Sequence, residues 1–405
     1  AGTRVIDPEH PFRIEDAAGF AGDPADPDAV RHSRVSGDLP FLTGFDAEGE
    51  DGDKDARMSQ SSPSGSTMVH HIMHSPSADF VVGNGASDFG WGNMILFKSK
   101  DLKKWTYCGK LIYEQKGFDR DFFRLNGVYE CPDFFESNGQ EIILASPQNL
   151  PKKGHKFENQ HSTIYIAGKL NYETGRYQMA KIRELDAGFD FYAPQSMRLP
   201  DGRIVMIAWK EMWDRTYPMV EDGWAGTYTL PRELEWKNGH LYQYPVRELC
   251  SYRQNPVSAK NVPLSSDKEV RIPGMEGNVI ELDALIDPGT ASKVGVKIFV
   301  GSGHETVLTY DPAQNTLVFD RTRGGLRIEG REDNVNIRTL DVKPEGTLRL
   351  QIFLDICSAE VFVNGGRYVL TGNVYADLTD TGIAFFAEGG EGRLLSAVKY
   401  DLVVE

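Results

Sequence analysis

The amino-acid sequence predicts an all-β protein in two parts, and three features carry that expectation. Runs of four to nine residues rich in Ile, Val and aromatics recur along the chain, turn-forming stretches separate them, and no long amphipathic helical pattern intervenes. In order, "NMILFKS", "EIILASP", "STIYIAGKL" and "RIVMIAW" have the β-branched and aromatic content of strands, and "SNGQ", "NYETGR" and "LPDGR" supply the turns between them. Short antiparallel strands at this spacing suit a β-propeller or a sandwich. Residues 78–258 are read as this first β domain.

After "NPVSAKNVPLSSD" (255–267) a second strand-rich block begins, with "VGVKIFVG", "TVLTYD", "TLVFD", "LRLQIFLD" and "SAEVFVNGGRYVL". Within it "AEVFVNGG" alternates faces and ends on Asn364-Gly365, a pair that favours a tight hairpin turn. Residues 265–405 are read as a separate β-sandwich. The front of the chain differs. All 16 tyrosines and all 6 tryptophans lie from Trp91 onward, and residues 1–77 carry the acidic, Gly- and Pro-rich stretches "GDPADPDA" and "DAEGEDGDKDA", read as solvated chain. "HHIMH" (His70, His71, His74) invites a metal reading, but no strand or helix pattern frames it, so it is read as loop and no metal site is expected.

Bulk properties exclude several functions. A net charge of -15 argues against a nucleic-acid or anionic-membrane partner, which would demand a basic face. No apolar run reaches the roughly 18 residues a membrane span needs. The cysteines at 108, 131, 250 and 357 are widely spaced, matching neither a zinc site nor a disulfide framework, which points to a reducing, cytoplasmic setting. Oligomeric state stays open.

One stretch carries a chemical question. "VYECPDFFES" (128–137) places Glu130 and Asp133 in an otherwise apolar, aromatic run, where an unpaired carboxylate is costly. Either Glu130 pairs with a nearby arginine such as Arg120 or Arg124, or it performs chemistry.

The residues "YECPDFF" (129–135), "LDAGFDFYAPQS" (185–196), "IAWKEMW" (207–213), "GWAGTYTLPREL" (223–234) and "YPVREL" (244–249), followed by "LRLQIFLDICSAEVFVNGG" (348–366), resemble the successive signatures of glycoside hydrolase family 32, the invertases, inulinases and sucrose-6-phosphate hydrolases. The resemblance covers about residues 78–405. It implies a five-bladed β-propeller followed by a β-sandwich, no cofactor, and hydrolysis of terminal β-D-fructofuranosides such as sucrose or short fructans. It also implies that Glu130 is the general acid/base, with Cys131 and Pro132 shaping the strand that aims it. A retaining glycosidase pairs such an acid with a nucleophilic carboxylate about 5 to 5.5 Å away. Cys131, Asp190, Tyr192 and Trp209 become candidate substrate-contacting residues, Tyr192 on the pocket floor and Asp190 hydrogen-bonded near the acid. Tyr192 also fits a core aromatic, and Trp209 and Trp224 either stack on substrate or fill a blade. Arg232 and Glu233 read as a partly buried pair tying a blade to the sandwich.

The sequence departs from the family at its front. The family's nucleophile lies in a Trp-Met-Asn-Asp-Pro-Asn-Gly signature and a second aspartate in Arg-Asp-Pro; neither occurs. Asp-Pro survives only at Asp7-Pro8, Asp23-Pro24 and Asp26-Pro27, and Arg120-Asp121 lacks the proline. The nucleophile is therefore not identified, and Asp7 is the first candidate should the chain prove active. On this pattern the first blade and most of the second are expected to be missing, and the alternative to an active enzyme is a catalytically impaired or purely fructan-binding relative.

Overall fold

The computed structural model describes residues 68–74, 79–86, 92–99, 105–111, 115–118, 129–301, 303–330, 335–343 and 345–404. The first four strands, β1 (Met68–His74), β2 (Asp79–Ala86), β3 (Gly92–Ser99) and β4 (Trp105–Lys110), pair in sequence order into one antiparallel sheet. A second sheet of the same design follows from β5 (Tyr129–Ser137), β6 (Gln140–Pro147), β7 (Ile164–Asn171) and β8 (Arg176–Glu184). The third uses β9 (Tyr192–Arg198), β10 (Ile204–Trp209), β12 (Arg232–Lys237) and β13 (His240–Pro245), with the two-residue β11 (Arg215–Thr216) in the intervening loop. These are three propeller blades. Their first strands lie together, β5 against β1 on one side and β9 on the other.

The blade cores explain the sequence pattern. Ile143 of β6 packs toward the first blade with Met94, Leu96, Tyr129 and Tyr177, while Ile142 and Leu144 pack toward the third with Phe191, Ile204, Met206 and Leu241. A strand covered on both faces reads as a continuous apolar run, which is why "EIILASP" shows no alternation.

Two expectations change here. "HHIMH" lies in β1, so the blade ahead of the Glu130 blade has four strands; it is not largely missing, and its first strand falls inside the stretch read as solvated chain. Backbone pairing to β2, with a bulge between Val69 and His71, makes the strand where histidine-rich composition gave no signal. Of the five blades expected, three lie among the described residues, and residues 1–67 lie outside them.

The remaining strands are β14 (Arg253–Ser265), β15 (Ile280–Asp287), β16 (Lys293–Val300), β17 (Glu305–Asp311), β18 (Thr316–Arg323), β19 (Glu329–Gly330), β20 (Ile337–Asp341), β21 (Leu348–Asp355), β22 (Ser358–Val363), β23 (Tyr368–Asn373), β24 (Gly382–Glu388) and β25 (Glu391–Leu402). Two sheets, in the orders β14-β25-β15-β21-β22-β23 and β20-β18-β17-β16-β24, enclose one apolar core that includes Leu282, Val296, Phe319, Ile352 and Phe385. This is the sandwich. Because β14 pairs with β25 from Arg253 onward, the sandwich begins there, earlier than the 265 expected and inside the range assigned to the propeller.

Blade and sandwich are welded by buried polar groups. The stretch 187–190 runs along the edge strand β23: Ala187 N donates to Val369 O at 2.9 Å and Phe189 N to Thr371 O at 2.7 Å. Arg232 on β12 is fully buried and donates to Asp186 Oδ2 (2.9 Å), Gln243 Oε1 (2.9 Å), Glu360 Oε2 (2.7 Å) and Thr371 Oγ1 (2.6 Å). It ties blade to sandwich as expected, but Glu233 is not its partner. Successive strand residues face opposite sides, and Glu233 meets Arg203 and Arg247 on the outer face, where Arg247 holds its carboxyl down at about 2.

Candidate active site

Glu130 sits on a β-bulge. Between Glu130 and Asp133 the register of β5 against β6 shifts, and Cys131 takes φ +46°, a left-handed conformation uncommon outside glycine and further restricted before a proline. The third blade repeats the device: Ala193, which precedes Pro194, has φ +51° directly after Tyr192. The two special turns, Glu-Cys-Pro and Tyr-Ala-Pro, stand on neighbouring first strands and bring Glu130 and Tyr192 together. Backbone strain of this kind persists only where surroundings hold it. Here Gln195 Nε2 donates to Cys131 O (3.2 Å), Ala193 N to Ser146 Oγ (3.1 Å), and Ser196 N to Asp133 Oδ2 (2.7 Å).

The Tyr192 hydroxyl donates to Glu130 Oε2 at 2.7 Å and lies 3.1 Å from Ser146 O. Burial, then the Glu130 charge, pushes its phenol well above the ordinary range, so Tyr192 keeps its proton. Burial and then the same carboxylate push the Cys131 thiol up to about 11. Glu130 itself is half-buried, whereas Asp133 is fully buried and turned to Ser196 across the blade seam.

The structure redistributes the other candidates. Tyr192 is only 1% exposed and reaches the site through its hydroxyl, so of its two readings the ring fits the core aromatic and not the sugar-contacting one. Asp190 is also displaced from its expected place near the acid. Fully buried, it accepts from Arg215 Nη1 (2.7 Å), Arg321 Nη1, Tyr217 Oη (2.8 Å) and Asn373 N (2.7 Å), at the seam with the sandwich. Burial pushes its carboxyl up, but Arg321, Arg215 and the hydrogen-bond donors outweigh burial and hold it below the ordinary range. Trp209 pairs with Tyr192 across β9 and β10, and its ring meets exposed Trp213 edge-on at 5.0 Å. Ser146 and Gln195, which hold Tyr192 and the bulge, were not singled out from sequence. Gln195 was visible only as part of "APQS". Asp7, and the proposed partners Arg120 and Arg124, lie outside the described residues.

The family models decide the affiliation. The one described as glycosyl hydrolases family 32 N-terminal domain matches residues 72–245, and the one described as glycosyl hydrolases family 32 C terminal matches 248–401. The chain belongs to glycosyl hydrolase family 32. It is 32% identical over 311 residues to sucrose-6-phosphate hydrolase of Staphylococcus xylosus, covering 77% of this chain and 60% of the relative, and 31% identical over 308 residues to raffinose invertase of Escherichia coli, covering 75% and 60%. The solved structure of sucrose-6-phosphate hydrolase from Lactobacillus gasseri superposes with a TM-score of 0.70 at 26% identity, covering 82% of this chain and 65% of that one. The family 32 chain thus spans about three fifths of the length of the curated relatives it matches.

Proposed function

We propose that this family 32 chain carries the acid/base half of a retaining β-fructofuranosidase site that hydrolyses terminal fructofuranosides such as sucrose. The observation that carries the reading is the Tyr192–Glu130–Ser146 arrangement. One phenolic hydrogen serves two acceptors, so the group suits both states of a carboxyl that gains and loses a proton. With Glu130 ionised, Tyr192 donates to it. With Glu130 protonated, the acid donates to Tyr192 Oη and the phenolic hydrogen turns to Ser146 O.

In the first step Glu130 gives its proton to the glycosidic oxygen as a nucleophilic carboxylate attacks the anomeric carbon, forming a fructosyl-enzyme and releasing the alcohol. In the second, Glu130 takes a proton from the water that attacks the same carbon, and the nucleophile leaves. Asp133 is not the nucleophile, because it is buried and faces Ser196. The nucleophile is not identified, and Asp7 is the first candidate only if the chain proves active. The names of the relatives, and the sucrose complex solved for a Bombyx mori β-fructofuranosidase of the same family, support the substrate class.

The test is fructose release from sucrose by the purified 405-residue chain beside Glu130→Gln. Turnover of about 1 to 10³ per second, reduced about 10² to 10⁴-fold in the variant with unchanged circular dichroism, establishes the role and shows that the chain supplies a nucleophile. Since the nucleophile signature is absent from the sequence, turnover far below that range is the expected result for this chain. Where the first two blades are intact and sucrose is turned over, a variant loss under tenfold returns Glu130 to a structural part.

A further inference from the structure

A groove of about 840 Å³ runs between the second and third blades and the sandwich, and neither Glu130 nor Tyr192 lines it. Its residues are unusual for a chain of net charge -15. Arg183 at the end of β8, Arg367 ahead of β23, and Lys343 beyond β20 all line it, and among the described residues none of the three pairs with a carboxylate. Their field reaches buried His240: burial first, then Arg367, Arg183 and nearby Lys181, lower its pKa to about 4 against the pull of its bond to Leu241 O, so the ring adds no charge to the groove.

Arg367 is also oriented. Arg367 donates through Nη1 to Tyr242 Oη and through Nε to Tyr368 Oη, both at 3.3 Å, so neutral phenols fix its guanidinium without neutralising it. Tyr368 Oη accepts a second bond from Lys343 N at 3.1 Å. Having accepted two bonds, the Tyr368 hydroxyl keeps its own hydrogen for an acceptor in the groove. Two acids line the same space. Asp341 is tied to His155 at 2.8 Å, and Glu184 accepts from Phe157 N at 2.9 Å while burial pushes its carboxyl up to about 8, against the pull of that amide and of Arg338. Cations that line one groove without carboxylate partners favour an anion there, and guanidinium groups match oxyanions with paired donors.

We propose that this groove is a phosphate-binding site, separate from Glu130, in which Arg183, Arg367, Lys343 and the Tyr368 hydroxyl hold a phosphate group, free or carried by a small sugar. The walls come from blade and sandwich together, so an occupant bridges the two domains and stabilises their contact.

The test is calorimetric titration of the full chain at low salt with inorganic phosphate, fructose 6-phosphate and fructose. Saturable binding of both phosphates but not of fructose is expected, weakened about tenfold or more in Arg183→Gln and in Arg367→Gln and weakened by added salt. Tighter binding of fructose 6-phosphate assigns the site to sugar phosphates; equal binding assigns it to free phosphate. Lys343→Gln, at an exposed side chain, gives the same readout if an arginine variant fails to fold. Glu130→Gln is expected to bind as the parent does. Absence of saturable binding, binding unchanged in all three groove variants, or binding lost in Glu130→Gln overturns the proposal.

Discussion

The Tyr192 hydroxyl is the smallest part on which the acid/base reading depends, and removing it leaves the ring's packing untouched. Tyr192→Phe is expected to lower kcat for sucrose by about tenfold with little change in KM, since the lost bond orients the reacting group and not the substrate. Equal kcat in parent and variant would show that the contact only packs the strand. Asp190 supports a second prediction at this scale. Its carboxyl is held below the ordinary range, so the stability it contributes is fully present above about pH 4 and is lost as pH falls through its depressed value. Asp190→Asn should therefore cost about 3 to 5 kcal/mol near neutrality, by leaving Arg215 and Arg321 short of a partner, and should flatten the fall in Tm below pH 4. Thermal melts from pH 2 to 7 check both parts. These two residues also mark what sequence conveys. Glu130 stands out because a carboxylate in an aromatic run is costly, but the residues alone leave it between an arginine partner and a chemical role, and only the family resemblance favours the second. Asp190 does not stand out, because a residue two positions from Tyr192 reaches the sandwich through Arg321, 131 residues away, and nothing local records that.

At the scale of elements, the stretch 187–190 acts as an extra partner for β23. That strand ends the six-stranded sheet, and its outer side would otherwise offer unpaired backbone groups to other chains. A Cβ added at Gly188 would come within 2.1 Å of Thr371 N and 2.2 Å of Thr371 O, so the two backbones could not keep their spacing. Gly188→Ala is expected to destabilise by at least about 3 kcal/mol in urea unfolding, and a change under 1 kcal/mol would mean the stretch is free to lift away. Strand patterns in blades two and three and in the sandwich could be read ahead because Val, Ile and aromatics mark them. β1 could not: "MVHHIMH" owes its conformation to β2, and pairing of that kind leaves no compositional trace. The weld was half legible, since Arg232 was assigned to it while its acidic partners, Asp186 and Glu360, lie 46 and 128 residues away.

At the scale of the molecule, the third blade is held to the sandwich by buried charges drawn from both. Arg232 joins Asp186 to Glu360, and Asp190 joins Arg215 to Arg321. Neither set is complete within one domain, so blade three and sandwich are expected to melt as one calorimetric transition, and two resolved transitions assigned to them would contradict the arrangement. The same weld has a consequence for the order of events in synthesis. Asp186 and Asp190 leave the ribosome long before Thr371 and Asn373, their partners 185 and 183 residues on. Until those arrive, Asp186 has Arg232 and Asp190 has Arg215 and Tyr217, so two carboxylates destined for burial are half compensated and the blade cannot close fully around them. The last strands are thus a checkpoint for the middle of the chain. A product stopped before Val369 should lose protection from hydrogen exchange in β9, β10 and β12 as well as in the sandwich, whereas retained protection in those blade strands would show that the middle of the chain folds without waiting.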